Sequence, residues 1–240
     1  MSHMVRVARS PPQHLFYTGQ MPAVPAVESR LDSLVDRTSA LAIPGRRIVI
    51  GIAGSPGAGK TTLAKQLVAR INGASDATPA VYLPMDGFHL ANATLDRLGL
   101  RDRKGAIETF DGWGFVALLE RVRTELDHPV FAPSFERTVD EGIAGEVEIP
   151  VGAEIVVVEG NYLLVDREPW NRIPALLDES WFCATGDDER LGRLVDRHTR
   201  HGRTPAEALA WASSVDGANA LLIEATRSRA DLVVSGVTPR

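Results

Sequence analysis

Apolar positions along the chain fall into two alternating kinds of pattern. Continuous β-branched runs at 48–53 and 155–158 predict strands buried on both faces, and shorter apolar runs at 80–85, 180–184 and 230–234 predict three more. Between them the spacing turns helical. Val27, Leu31, Leu34, Val35, Thr38 and Leu41 recur at three and four residues and stop before Pro44-Gly45. Leu63, Leu67, Val68 and Ile71 repeat the pattern, and so do Phe115, Leu118, Leu119, Val122 and Leu126 before Asp127-His128-Pro129. A short helix is expected over Trp170 to Leu177, and a longer one from Asp187 to His201 with Leu191, Leu194, Val195 and His198 on its apolar side. Thr204-Pro205-Ala206-Glu207 reads as an N-cap, a first-turn proline and a capping-box acid, opening a helix that runs to about Ser228. Strands separated by helices predict an α/β fold, a doubly wound and mainly parallel sheet flanked by helices.

Two stretches break the alternation. Val130-Phe131-Ala132 and the alternating Val147, Ile149 and Val151, around Gly142 and Gly145, predict a small β excursion over about 130–151. It reads either as a wall or cap of a ligand site or as a solvent-exposed hairpin. Residues 1–26 hold four prolines without periodicity, and Met1-Ser2-His3-Met4 resembles an expression-tag remnant, so an irregular arm is expected before a single domain over 27–240.

Composition narrows the function classes. A chain of 240 residues suffices for one α/β domain. Its formal net charge of −5 gives no electrostatic case for nucleic acid or an anionic membrane as partner. The single cysteine, Cys183, excludes an intrachain disulfide and a cysteine-rich zinc site, which suits a reducing cytosol. No apolar run reaches the roughly 18 residues of a membrane span, and no secretory leader pattern opens the chain, so a cytoplasmic protein is expected.

The chemistry is concentrated where the first strand meets its helix. Gly54-Ser55-Pro56-Gly57-Ala58-Gly59-Lys60-Thr61, continued by Thr62, fits the phosphate-binding loop pattern G-x-x-x-x-G-K-[ST]. Glycines let successive N–H groups face one oxyanion, and the helix N-terminus adds its positive dipole end. Lys60 would reach the β- and γ-phosphates of ATP, and Thr61 would ligate Mg²⁺. Asp86 leaves the 80–85 strand on the same sheet edge, either as a reactive carboxylate or as a turn former before Gly87. Glu159 leaves a strand whose β-branched run is unbroken, either as a Mg²⁺-coordinating or water-orienting acid or as a strand-end turn carboxylate. Arg97, Arg101, Arg103 and Lys104 form either a solvated face or an anion-holding group. Arg190, Arg193 and Arg197 share one face of the 187–201 helix, as solvated arginines or as a basic lid over nucleotide, with the lid spanning about 187–204.

The loop at 54–61, Met85-Asp86-Gly87-Phe88-His89-Leu90, Arg103-Lys104-Gly105 leading to Glu108-Thr109-Phe110-Asp111, Ala132-Pro133, Glu159-Gly160-Asn161 and the arginine-rich helix resemble the P-loop kinase superfamily of uridine kinase, phosphoribulokinase and type I pantothenate kinase. The similarity covers about residues 46–235. It implies a P-loop NTPase fold, Asp86 as the base for an acceptor hydroxyl, Glu159 as a Mg²⁺ ligand with Thr61, and Arg193 and Arg197 as catalytic lid arginines beside Lys60. The acceptor-facing set is expected to be Asp86, His89, Arg103, Lys104, Arg137 and Asn161, with His89 either bonding the acceptor or serving as a satisfied structural histidine. Type I pantothenate kinases carry a histidine after the Ala-Pro segment where Arg137 stands here, a departure that argues against pantothenate. The Met-Asp-Gly-Phe-His-Leu form is more similar to an uncharacterised uridine-kinase-like, nucleoside- or sugar-kinase-like branch.

The expected activity is ATP-dependent phosphorylation of a hydroxyl on a small metabolite, a nucleoside, sugar or pantothenate-like compound, in a chain compatible with a homodimer. The alternative class is a P-loop ATPase or nucleotide-binding regulatory protein without an acceptor. It gives Asp86 and the β excursion no role, and the sequence lacks a guanine-specific N-K-x-D.

Overall fold

The computed structural model describes residues 30–43, 45–74 and 80–236. The expected tag remnant and arm at 1–26, and the first residues of the helix expected from Val27, lie outside the described residues.

In chain order the elements are α1 (Leu31–Ala40), β1 (Ile48–Ala53), α2 (Lys60–Asn72), β2 (Ala80–Pro84), α3 (Asn92–Leu98), α4 (Gly112–Thr124), β3 (Val130–Glu136), β4 (Glu141–Ile149), β5 (Ile155–Glu159), β6 (Glu179–Ala184), α5 (Asp187–Arg200), α6 (Pro205–Glu224) and β7 (Leu232–Ser235). Five strands form one sheet in the order β2-β5-β1-β6-β7, all parallel. The expected α/β fold is therefore the observed one. β5, central and without polar alternation, is buried along its whole length, which is why its sequence reads as an unbroken apolar run.

The two faces of β1 feed two cores. Ile48, Ile50 and Ile52 pack with Leu34 of α1 and with Ala64, Leu67 and Ile71 of α2. Val49 and Ala53 join Phe115, Leu119 and Val122 of α4 and Ile223 of α6. Helices thus cover both sides of the sheet, as period-2 alternation in a doubly wound strand requires. Buried Arg47 ties this framework at its lower edge, donating to the carbonyls of Val122 (2.9 Å), Ala153 (3.0 Å) and Pro150 (3.1 Å).

Several boundaries shift from the sequence expectation. The 170–176 segment is a 3₁₀ helix containing Pro174, whose missing N–H is tolerated in a short, tight helix. The last long helix ends at Glu224 and is followed by a 3₁₀ turn at Arg227–Arg229. Its start has the expected capping box of Thr204 and Glu207. β3 and β4 form a separate antiparallel ribbon. The ribbon packs on the 3₁₀ turn Met85–Phe88, so closely that a Cβ on Gly87 would meet the Pro133 carbonyl oxygen at 2.2 Å.

Candidate active site

Strand order brings three distant segments to one edge. β5 lies between β2 and β1, with Glu159 in register with Ile52 on one side and Pro84 on the other. The loop after β1, the turn after β2 and the last residue of β5 therefore meet at the carboxyl ends of the strands, the ligand edge of an open parallel sheet.

The 54–61 loop turns through left-handed glycines. Gly59 caps α2 at φ +99°, and a Cβ there would lie 2.7 Å from the Gly236 carbonyl oxygen. The first helical residue is Lys60, buried, with Nζ donating to the Ser55 carbonyl (3.2 Å) and to Asn161 Oδ1 (2.8 Å). Thr61 donates its hydroxyl to Glu159 Oε1 at 3.0 Å, and Tyr82 donates to the same oxygen at 2.8 Å. Burial pushes the Lys60 ammonium down and the Glu159 carboxyl up, and the opposite charge of each partner resists the shift. Burial likewise drives the Tyr82 phenol far above its ordinary value, with Glu159 adding to it, so Tyr82 acts here only as a hydrogen-bond donor.

Asp86 lies in the turn after β2, half-buried, and its carboxylate makes no hydrogen bond with a described residue; its nearest cation is Arg137 Nη2, 3.6 Å from Oδ2. His89 closes this turn. Its Nδ1 lies 2.7 Å from the Asp86 carbonyl oxygen, which can only accept, so Nδ1 carries the proton. The ring is packed between Phe110 and Phe135, with centroids 4.0 and 4.6 Å away. Burial lowers its pKa while the Asp86 charge opposes that, so the neutral ring is favoured.

These groups line one open cavity of about 410 Å³. From the expected site residues, Pro56, Lys60, Thr61, Asp86, His89, Lys104, Arg137, Glu159, Asn161 and Arg197 reach its wall. Others do not. Arg103 is in a 3₁₀ turn, paired with Glu108 at 2.5 Å and off the wall. Arg193, expected beside Arg197 as catalytic, donates to the loop carbonyls of Gly57 and Ala58 (both 3.4 Å) and to the Gly236 carbonyl just after β7 (3.2 Å), and pairs with Glu189 at 2.5 Å. Three residues separate Arg193 from Arg197, which places them a helical turn apart at different parts of the site. Thr62 is exposed in the first turn of α2, away from the wall. Gly54, Ser55, Gly57, Ala58 and Gly59 form the loop backbone behind Lys60, and buried Ser55 donates to Glu224 Oε1 at 2.6 Å. Lys104 is committed locally, bonded to Asn92 Oδ1 (2.6 Å) and Asp140 Oδ2 (3.0 Å), where it holds the β3–β4 turn against α3.

Sequence reasoning missed the far wall. Asp216 and Asn219 of α6 face the cavity, with His198 Nε2 2.7 Å from Asp216 Oδ2 and Asn219 Nδ2 donating to the Gly105 carbonyl at 3.0 Å. Trp211 is there too, with the Arg203 guanidinium 3.8 Å from its ring centroid. The available signal was an Asp and an Asn three residues apart in the middle of a helix rich in Ala and Leu. Tyr82 was hidden because an aromatic in a strand reads simply as core.

Thr61 and Glu159 fit a hard divalent cation: both offer oxygen, and the buried carboxylate has hydroxyl donors rather than an ion pair within bonding distance. Among the described residues no group of three or more His, Cys, Asp and Glu could hold a metal.

Comparisons with known proteins bear on the family and the fold. Residues 49–239 match the phosphoribulokinase / uridine kinase family. An ATP-dependent kinase-like protein, notR', of Aspergillus versicolor is 41% identical over 133 residues, 52% of this chain and 77% of that protein. A candidate uridine kinase of Schizosaccharomyces pombe is 30% identical over 212 residues, covering 86% of this chain and 90% of its own. Among solved structures, a candidate fructose transport system kinase of Silicibacter sp. TM1040 is 37% identical with a TM-score of 0.78, covering 85% of this chain and 98% of that one.

Proposed function

This chain belongs to the phosphoribulokinase / uridine kinase family, and from that premise we propose that it transfers the γ-phosphate of ATP to a hydroxyl of a small metabolite, with Asp86 as the base. The observation that carries the reading is the Asp86 carboxylate, free of hydrogen bonds among the described residues and on the same cavity wall as Lys60, Thr61 and Glu159. An acceptor-free ATPase has no use for that carboxylate or for the His89 and Arg137 wall beside it.

The roles follow from charge and position. The loop amides and Lys60 hold the β- and γ-phosphates, and Arg197, whose guanidinium has no hydrogen bond or ion pair with a described residue, meets the charge of the transferring group. Asp86 accepts the hydroxyl proton as the acceptor oxygen bonds to the γ-phosphorus. The bond from that phosphorus to the bridging oxygen breaks, and ADP leaves with its electron pair. Thr61 and Glu159 would hold Mg²⁺, which when bound neutralises charge on the phosphate oxygens. Such transfer needs mainly positioning and electrostatics, and these residues supply both. A cytoplasmic setting, where ATP is abundant, belongs to the same reading. No described helix is long and apolar enough to cross a membrane.

Asp86→Asn is the direct test, because it keeps shape and removes the base. Turnover should fall by about 10²–10⁴-fold, the usual worth of a general base, with nucleotide affinity retained. Unchanged turnover would remove Asp86 from the chemistry.

A further inference from the structure

The charges on the cavity wall are unevenly satisfied. Three carboxylates have close donors: Asp216 has His198 at 2.7 Å, Asp140 has Lys104 at 3.0 Å, and Glu159 has the Thr61 and Tyr82 hydroxyls. The guanidiniums differ. Arg203 lies over the Trp211 ring without an ion pair to a described residue, and Arg197 has neither ion pair nor side-chain hydrogen bond with one. Arg137 has only Asp86, at 3.6 Å, beyond hydrogen-bond length. Arginines of similar exposure elsewhere have found acids: Arg121 is 2.9 Å from Glu125, and Arg46 and Arg37 pair with Asp178 and Glu179. Arg137 and Arg197 line the same cavity, so the two cations face a shared space. With Arg197 given to the transferring phosphate, Arg137 and Arg203 remain for the acceptor.

Resting on the kinase reading, we infer that the acceptor is a short hydroxylated molecule carrying a carboxylate or phosphate, and that Arg137, at the turn of the β3–β4 ribbon, is the specificity residue that receives this anion beside the Asp86 base. The guanidinium fork suits both oxyanions. Its place beside Asp86 also limits the acceptor's size. With hydrogen bonds of ordinary length to Asp86 Oδ2 and to Arg137 Nη2, which are 3.6 Å apart, the reacting hydroxyl and the anionic oxygen lie at most about 9 Å apart. A small hydroxy acid or polyol phosphate meets that span. A neutral sugar or nucleoside would leave Arg137 with the Asp86 carboxylate, 3.6 Å away, as its one close counter-charge among the described residues, and that charge is lost when Asp86 takes the hydroxyl proton.

The experiment is ADP release with ATP and Mg²⁺ across a metabolite library in three arms: hydroxy acids, polyol monophosphates, and neutral sugars and nucleosides, with the phosphorylated product identified. Turnover is expected in one anionic arm, and which arm responds tells carboxylate from phosphate. For that acceptor, Arg137→Gln should raise KM by about 30-fold or more, the usual consequence of truncating one partner of a bonded charge pair. Its kcat should change much less, and Arg137→Lys should recover part of the loss. A merely structural role for Arg137 would instead lower the melting temperature and nucleotide affinity together. Preferred turnover of a neutral acceptor, or an unchanged KM in Arg137→Gln, overturns this inference and leaves the kinase reading standing. ATP binding without turnover of any acceptor overturns both.

Discussion

At the scale of the residue, His89 shows how a side chain expected to face the acceptor can be fixed by its surroundings. Its Nδ1 proton goes to the Asp86 carbonyl and its ring lies between Phe110 and Phe135, so it shapes the turn that carries Asp86. Burial depresses its folded-state pKa from the ordinary 6.5. The unfolded chain then binds the extra proton first, and stability rises with pH where that difference exists. Stability should therefore fall as pH drops below about 6.5 toward the lower folded value, then level off. Denaturant titrations across this range should show the loss in wild type. His89→Asn, which keeps a donor for the carbonyl without a titrating ring, should lose that component; an unchanged slope would mean His89 is not its source. The motif residues Lys60, Thr61, Asp86 and Glu159 were legible in sequence because each sits at the end of a recognisable strand or loop. Asp216 and Trp211 were not, because their role depends on which way one face of a long helix turns.

At the scale of the element, the contact between the phosphate loop and α5 sets how tightly the basic helix is held. Gly57 has φ +79°, and a Cβ there would lie 2.8 Å from the Arg190 carbonyl oxygen and 2.9 Å from Leu194 Cγ. Arg190 and Arg193 in turn donate to the loop carbonyls at Pro56, Gly57 and Ala58. Gly57→Ala should push α5 away and add the left-handed cost of about 1–2 kcal/mol. The expected result is a melting temperature lower by roughly 2–8 °C together with a higher KM for ATP. A drop in stability with unchanged KM would show that this helix contact does not shape the nucleotide site. The helical period located α5 and its arginines correctly. It could not divide them between loop carbonyls and cavity, since Arg193 and Arg197 are separated in role by packing against a loop more than a hundred residues away in sequence.

At the scale of the whole molecule, the order β2-β5-β1 joins a loop at 54–61, a turn at 86 and a strand end at 159 into one site. A ligand that spans them should stabilise the entire fold. At a concentration about 100 times its Kd, a nucleotide adds about 2.7 kcal/mol, a rise of roughly 5–11 °C for a chain of this size. Thermal unfolding with and without Mg²⁺-ATP should show this in wild type and not in Lys60→Ala, and an equal shift in the variant would place the nucleotide elsewhere. What the sequence determined by itself is local: a strand declared by an unbroken β-branched run, a helix by its period, and a phosphate loop by glycines that alone tolerate its backbone. Those signals arise within a few residues, where sterics and burial leave one solution. The tertiary structure alone decided which strand lies beside which, that Lys104 is spent on Asp140 while Arg137 stands beside Asp86, and that α6 supplies the far wall. Such pairings join residues tens to more than a hundred positions apart, and each depends on packing geometry that no local pattern encodes.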